Sequence, residues 1–209
     1  MRRAAPGRAA PGKPAAAPRP APAGVGRGVG EVRIIGGLWK RTRLPVPSRP
    51  GLRPTPDRVR ETLFNWLGQD LAGWHCLDAF AGTGALGLEA ASRGAASVLL
   101  VEQDGDLAAR LQQHADRLKA ANVRVRRGDG LAQLAQCAPA SLDLVLIDPP
   151  FGGDLFAPAL KAARQALAPQ GRVYLEAPVQ WTDEALAPLG LVRLRHLRAG
   201  AVHAHLLGC

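Results

Sequence analysis

From residue 74 onward, short apolar runs alternate with stretches whose apolar residues recur at helical spacing. Runs such as Leu142-Asp143-Leu144-Val145-Leu146-Ile147 are too short for a helix and almost continuously apolar, the pattern of a strand buried on both faces. The spacing predicts strands over 76–80, 97–102, 123–128, 142–147 and 171–176, and helices over 84–93, 106–119, 130–136 and 155–168. Two closing strands, over 191–198 and 201–207, flank Gly200 as a hairpin turn. This alternation implies an α/β, doubly wound, Rossmann-like fold of seven strands, with a mostly parallel sheet covered on both faces.

Upstream the rhythm differs. Val32-Arg33-Ile34-Ile35, Gly36-Gly37 and the run from Leu38 to Leu44 predict two short strands around a glycine turn. Pro45, Pro47, Pro50 and Pro54 mark a loop, after which Thr55 is expected to cap a helix with Pro56 at its first position. Val59, Leu63, Phe64, Trp66 and Leu67 supply that helix with an apolar stripe, and Gly68 stops it. Residues 1–30 are almost wholly Ala, Pro, Gly and Arg, with too little apolar bulk to offset the entropy of ordering, and are expected to be disordered. The chain is therefore divided into a tail (1–30), a hairpin-and-helix extension (31–72) and a main domain (73–209).

Charge sharpens this division. Of the 27 Lys and Arg residues in 209, 14 lie within residues 1–60 beside only two acids, Glu31 and Asp57, which leaves the rest about neutral, 13 basic against 15 acidic. A neutral domain with a basic extension favours a polyanionic partner. Three cysteines without a C-x-x-C pair indicate neither a disulfide framework nor a zinc ribbon, and fit a reducing cytoplasm. No run of 18 apolar residues and no compact apolar leader is present, so neither a membrane span nor a secretory signal is expected.

Candidate chemistry begins where the first main-domain strand, Cys76-Leu77-Asp78-Ala79-Phe80, runs into Ala81-Gly82-Thr83-Gly84-Ala85-Leu86-Gly87 and a helix. Glycines there allow backbone to approach a ligand closely. The string G-x-G-x-x-G alone suits a dinucleotide as well as S-adenosylmethionine (SAM). Asp78 at the loop mouth would repel a pyrophosphate but could hold a cationic amino group such as SAM carries. Glu102, at the end of the second strand, lies where an acid binds ribose hydroxyls in either kind of site. Asp129, ending the third strand, is placed for an adenine edge or, more plainly, as a helix N-cap.

The strand 142–147 ends in Asp148-Pro149-Pro150-Phe151. Two prolines lack N–H donors and stiffen the turn, leaving carbonyl oxygens and the Asp148 carboxylate to accept from one exocyclic amine. Those bonds orient the amine and draw electron density toward nitrogen as it attacks a sulfonium methyl. Phe151 is placed to stack on an unstacked base. In doubly wound folds the carboxyl ends of the strands carry the ligand, which puts both motifs on one edge.

Taken in order, these segments resemble a known family, the small bacterial 16S rRNA (guanine(966)-N(2))-methyltransferases. The resemblance covers roughly residues 31–207 and rests on Arg33-Ile34-Ile35-Gly36-Gly37, on Leu52-Arg53-Pro54-Thr55 with the run Asp57 to Leu67, on Leu77 to Ala90, and on Val101-Glu102 and Asp148 to Phe151. It implies a SAM-dependent methyltransferase acting on the N2 amine of a guanine in 16S rRNA, within a 30S subunit or assembly intermediate. Asp148, Pro149, Pro150 and Phe151 would then hold the target amine. Asp78, Phe80, Gly82, Thr83, Gly84, Glu102, Asp129 and Thr55 would contact the cofactor, and the extension would close over the site and bind RNA. The Asp-Pro-Pro-Phe motif by itself also serves adenine N6 and cytosine N4 methylation of DNA, so the N-terminal block is what narrows the base. His114-Ala115 departs from the family's frequent Asn-Leu there.

Trp39, Lys40, Arg41, Arg43, Arg49, Arg53, Arg58 and Arg60 interleave an aromatic with cations in a segment expected to be exposed and able to contact phosphates. Among them Lys40, Arg41, Arg43, Arg53 and Arg58 are the candidate RNA contacts. His203 and His205 share a strand face without a third ligand, so no metal site is expected. Trp66, Trp74 and Cys76 read as core. A monomer is expected, with no obligate oligomer indicated.

Overall fold

The computed structural model describes Met1 and residues 30–47, 49, 52, 54–151 and 154–209. The expectation for the tail lies outside these residues apart from Met1 and Gly30, and so does Arg53. A two-stranded antiparallel sheet, β1 (Gly30–Arg33) with β2 (Arg43–Val46), precedes helix α1 (Asp57–Leu67). Then follow β3 (His75–Asp78), α2 (Ala85–Ser92), β4 (Ser97–Glu102), α3 (Gly105–Leu118), β5 (Val123–Arg127) and α4 (Gly130–Ala135). The chain closes with β6 (Leu142–Ile147), α5 (Phe156–Ala166), β7 (Leu167–Ala177), α6 (Asp183–Leu186), a 3-10 turn over Ala187–Leu189, β8 (Val192–Ala199) and β9 (Val202–Gly208).

The seven main-domain strands run in the order β5-β4-β3-β6-β7-β9-β8. Pairs from β5 to β7 are parallel, and β9 enters antiparallel between β7 and β8. This is the doubly wound α/β fold, with its reversal of strand order between β3 and β6. Successive strand residues face opposite sides. Cys76, Leu144, Leu146 and Tyr174 pack toward α1, α2 and α3, while Leu77, Val145, Ile147 and Leu175 pack toward α4, α5 and α6. No helix of the described residues is long and apolar enough to cross a membrane.

Three local expectations are corrected. Residues 38–41 form a turn rather than a strand, because their donors are taken elsewhere: the N–H of Leu38 donates to the Ser92 carbonyl and that of Arg41 to Ile34, with Gly37 and Arg41 at positive φ. The second strand therefore starts at Arg43 and includes Pro45, whose missing donor is tolerated in a strand with only one neighbour. Pro56, not Thr55, precedes the first helical residue, and no side chain among the described residues caps α1. Gly68 does stop that helix, in the left-handed region at φ 96° with its N–H on the Phe64 carbonyl. Finally, β7 begins at Leu167, shortening the helix expected to reach residue 168, and α6 with its 3-10 turn adds a short helical connection.

The extension is fixed to α2 by a buried ionic network. Glu89 is fully buried and accepts from the N–H of Ile35 at 2.8 Å and of Gly36 at 2.7 Å, from Arg60 at 3.3 Å and from Arg93 at 2.8 Å. Arg60, 1% exposed, also donates to the backbone carbonyls of Thr55 and Arg33 and pairs with Asp57. Expected among exposed phosphate contacts, Arg60 instead locks α1 to β1 and α2. Arg49 is likewise engaged, with Asp104 at 2.7 Å and Asp106 at 2.6 Å.

Candidate active site

Strand ends set the site. Asp78 closes β3, Glu102 closes β4, Asp148 follows β6 and Glu176 lies near the end of β7, so four acids line one edge of the sheet. Register pairs Asp78 with Leu146 and Ile147 with Leu175, which sets Asp148 and Glu176 side by side on the face that the extension covers.

Asp78 is 1% exposed. Its Oδ2 accepts from the N–H of Gly87 at 3.0 Å, whereas its Oδ1 is a buried oxygen with no hydrogen-bond partner among the described residues. Burial pushes this carboxyl up to about 7, against the N–H groups of Gly87 and Phe80, with smaller contributions from Glu102 and Glu176. A buried acid with one unused acceptor suits a cationic partner, and the amino group of a bound ligand would supply it. Gly87 must remain glycine for this geometry, because a Cβ there would meet Leu100 at 2.2 Å and the Asp78 carboxylate at 3.0 Å.

The loop between β3 and α2 turns through Gly82 and Gly84 at φ 51° and 79°. It is held from β4, where Glu102 accepts the N–H of Gly82 at 2.8 Å through one oxygen and that of Asp104 at 2.8 Å through the other. Thr83 is buried and Phe80 half-buried against the core. A narrow crevice lined by Val46, Pro47, Gly82, Thr83, Leu111 and His114 separates the glycine loop from the end of β2. Asp129 is exposed and caps α4 by accepting the N–H of Ala132 at 2.9 Å, the plainer of its two readings.

Asp148 is held well above the ordinary carboxylate range, first by burial and then by the charges of Glu176 and Asp78. Pro149 is buried, Pro150 exposed, and Phe151 is 46% exposed. Phe151 begins a row of tilted aromatic contacts, 6.5 Å to Phe156 and from there 6.4 Å to Trp181. Glu176 is the acid the motifs did not single out. It accepts from the Tyr174 hydroxyl at 2.8 Å, and the Thr55 hydroxyl approaches it from the extension. Burial raises its carboxyl while these two hydroxyls lower it. The signal for it was present, since it closes the apolar run Val173-Tyr174-Leu175 as the other three acids close theirs.

Of the candidate RNA contacts, Lys40, Arg41, Arg43 and Arg58 are exposed, and Arg43 pairs with Glu31 at 3.0 Å. Cys76 is buried, its thiol pushed up to about 12 mainly by burial, which suits a core residue. His196 joins His203 and His205 in a stack across β8 and β9.

Residues 32–208 match the family model described as conserved hypothetical protein 95. The chain is 45% identical over 155 residues to ribosomal RNA small subunit methyltransferase D of Escherichia coli K12, covering 73% of this chain and 78% of that protein. The protein of the same name from Haemophilus influenzae is 39% identical over 179 residues, covering 79% and 93%. Among solved structures, a putative methyltransferase of Escherichia coli superposes with a TM-score of 0.74 at 42% identity, covering 85% of this chain and 97% of its own. A putative methylase of Haemophilus influenzae does so at 0.70 and 34%, covering 85% and 98%.

Proposed function

The chain belongs to the conserved hypothetical protein 95 family, and on that footing we propose that it methylates the exocyclic N2 amine of a guanine in 16S rRNA, of the guanine 966 type, using SAM. The observation that carries this reading is the adjacency of Asp148-Pro149-Pro150-Phe151 to Asp78, whose buried Oδ1 has no partner among the described residues. Relatives that are ribosomal RNA methyltransferases favour RNA over the adenine or cytosine of DNA.

SAM, when bound, supplies an electrophilic methyl group on a sulfonium. In this reading Asp78 holds its amino group, Glu102 its ribose and Asp129 its adenine, each by acceptor capacity left beside the bonds described above. Gly82, Thr83 and Gly84 bring backbone close to the cofactor, and Phe80 and Thr55 flank it. Asp148 and the proline carbonyls accept from the target amine, which fixes its direction and concentrates electron density on nitrogen. Phe151, already exposed, offers a stacking face to the base. The extension, residues 31–72, serves as lid and RNA contact to the main domain over 73–209.

Asp78 makes cofactor binding dependent on pH. The free carboxyl is protonated below about 7, and only the ionised form attracts an ammonium, so affinity falls as pH drops. Isothermal titration between pH 8 and pH 5 should show the Kd for SAM rising by about tenfold per unit below the midpoint. Asp78→Asn should bind weakly at every pH and lose this dependence. A flat profile in the unaltered protein would assign the amino group to another partner.

Lys40, Arg41, Arg43 and Arg58, together with Arg53, are proposed to contact phosphate. Replacing Arg58 with alanine should weaken RNA binding and reduce the slope of log K against log salt by about one. An unchanged slope removes Arg58 from the interface. The substrate is taken to be the small subunit or an assembly precursor, met in the cytoplasm by a monomer. Incubation with methyl-labelled SAM should label RNA in small subunits lacking the modification and leave naked duplex DNA unlabelled. Label in DNA alone would overturn the proposal.

A further inference from the structure

We propose that Glu176 is the residue that selects guanine, by accepting the N1–H of the base whose N2 amine is held at Asp148. This rests on the guanine-amine reading above and adds what the Asp-Pro-Pro-Phe motif leaves undecided, since that motif addresses an exocyclic amine on any of three bases.

The register carries the argument. Ile147 pairs with Leu175 in the parallel β6–β7 ladder, so the next positions, Asp148 and Glu176, stand on neighbouring strand ends about 4.8 Å apart and share the face of Leu146 and Tyr174. On guanine the N1–H and the N2 amine are adjacent donors on one edge. Burial holds both carboxyl groups up, and repulsion from Glu176 adds to this at Asp148; two donors arriving side by side offset that repulsion and match the pair in its ionised form. Adenine and cytosine instead place a ring acceptor next to the amine, and a carboxylate facing that acceptor repels it and is left without a donor.

The other acids of the row stand elsewhere: Asp78 is level with Leu146, two residues before Asp148, and Glu102 closes β4, on the far side of β3 from β6. Glu176 is fixed by the Tyr174 hydroxyl at 2.8 Å and met by Thr55, and a carboxylate has about four acceptor sites, so capacity for one more donor remains. Tyr174 is fully buried, which keeps the carboxylate from swinging away when a base arrives.

The test uses small subunits reconstituted with guanine or with 2-aminopurine at the target nucleotide. The analogue keeps the exocyclic amine but carries an acceptor at N1. The unaltered enzyme should prefer guanine in kcat/KM by on the order of ten- to a hundredfold, the loss expected when one charged hydrogen bond becomes a repulsion. In Glu176→Gln the amide oxygen can stay with Tyr174 while its NH2 group donates to the analogue, so the preference should fall to within about threefold of unity or invert. A variant that loses activity on both substrates alike, keeping the original ratio, would show that Glu176 merely anchors Thr55 and would overturn the proposal. A ratio near one in the unaltered enzyme overturns it whether or not the variant folds. Failure of the underlying reading is distinct: the unaltered enzyme would then transfer no methyl group to guanine-containing subunits.

Discussion

Asp148→Asn lowers kcat for methyl transfer by about a thousandfold or more while the Kd for SAM changes by less than about threefold. The carboxylate accepts from the target amine, and an asparagine offers one acceptor oxygen and a competing NH2 group in its place. The effect falls on the chemical step because alignment of the amine matters most as nitrogen attacks. Stability provides the control. Ionised Asp148 is opposed by burial and by the charges of Glu176 and Asp78, so neutralising it removes repulsion and should not lower the melting temperature. Single-turnover methylation together with SAM titration separates the two readouts. Parallel losses of SAM affinity and rate in a folded variant would move Asp148 from the amine to the cofactor.

Glu89→Ala destabilises the protein by about 3–5 kcal/mol. Glu89 is fully buried between two buried guanidiniums, Arg60 and Arg93, and accepts two backbone N–H groups of the extension as well. Removing it takes from Arg60 and Arg93 their shared buried carboxylate and frees the half-buried N–H groups of Ile35 and Gly36. Among the described residues, Arg60 is then left only Asp57 and two carbonyls, and Arg93 only Gln69 and the Phe64 ring. Because Arg60 also holds the Thr55 carbonyl, the same change should loosen the extension over Asp148 and Glu176. Urea unfolding measures the first effect and hydrogen exchange at Ile35 and Gly36 the second. A loss under about 1 kcal/mol would mean that water replaces the network readily.

Much of this arrangement was legible in the chain. The parallel sheet follows from apolar runs too short for helices alternating with helical stripes, and the site edge follows from acids that close those runs, Asp78, Glu102 and Asp148. What escaped depends on long-range partners. Arg60 looks like any cation on an exposed helix until Glu89, 29 residues away, is brought against it. Leu38-Trp39 has strand composition, but its backbone donors go to Ser92 at the end of α2, a partner that periodicity cannot name. Thr55 has the chemistry of a helix cap and is instead buried beside Glu176. Glu176 closes an apolar run as the other acids do, but its pairing with Asp148 comes from the β6–β7 register, which no local spacing within either strand records.

Methyl transfer to one amine of one base is the chemistry that Asp148 and Glu176 are placed to direct. The most direct measurement is to incubate the protein with methyl-labelled SAM and small subunits lacking the modification, digest the RNA to nucleosides and identify the labelled species. The predicted result is label in N2-methylguanosine alone, absent with Asp148→Ala. Label in a methylated adenosine or cytidine, or undiminished label with Asp148→Ala, would contradict the assignment of Asp148 and Glu176 to the donor edge of guanine.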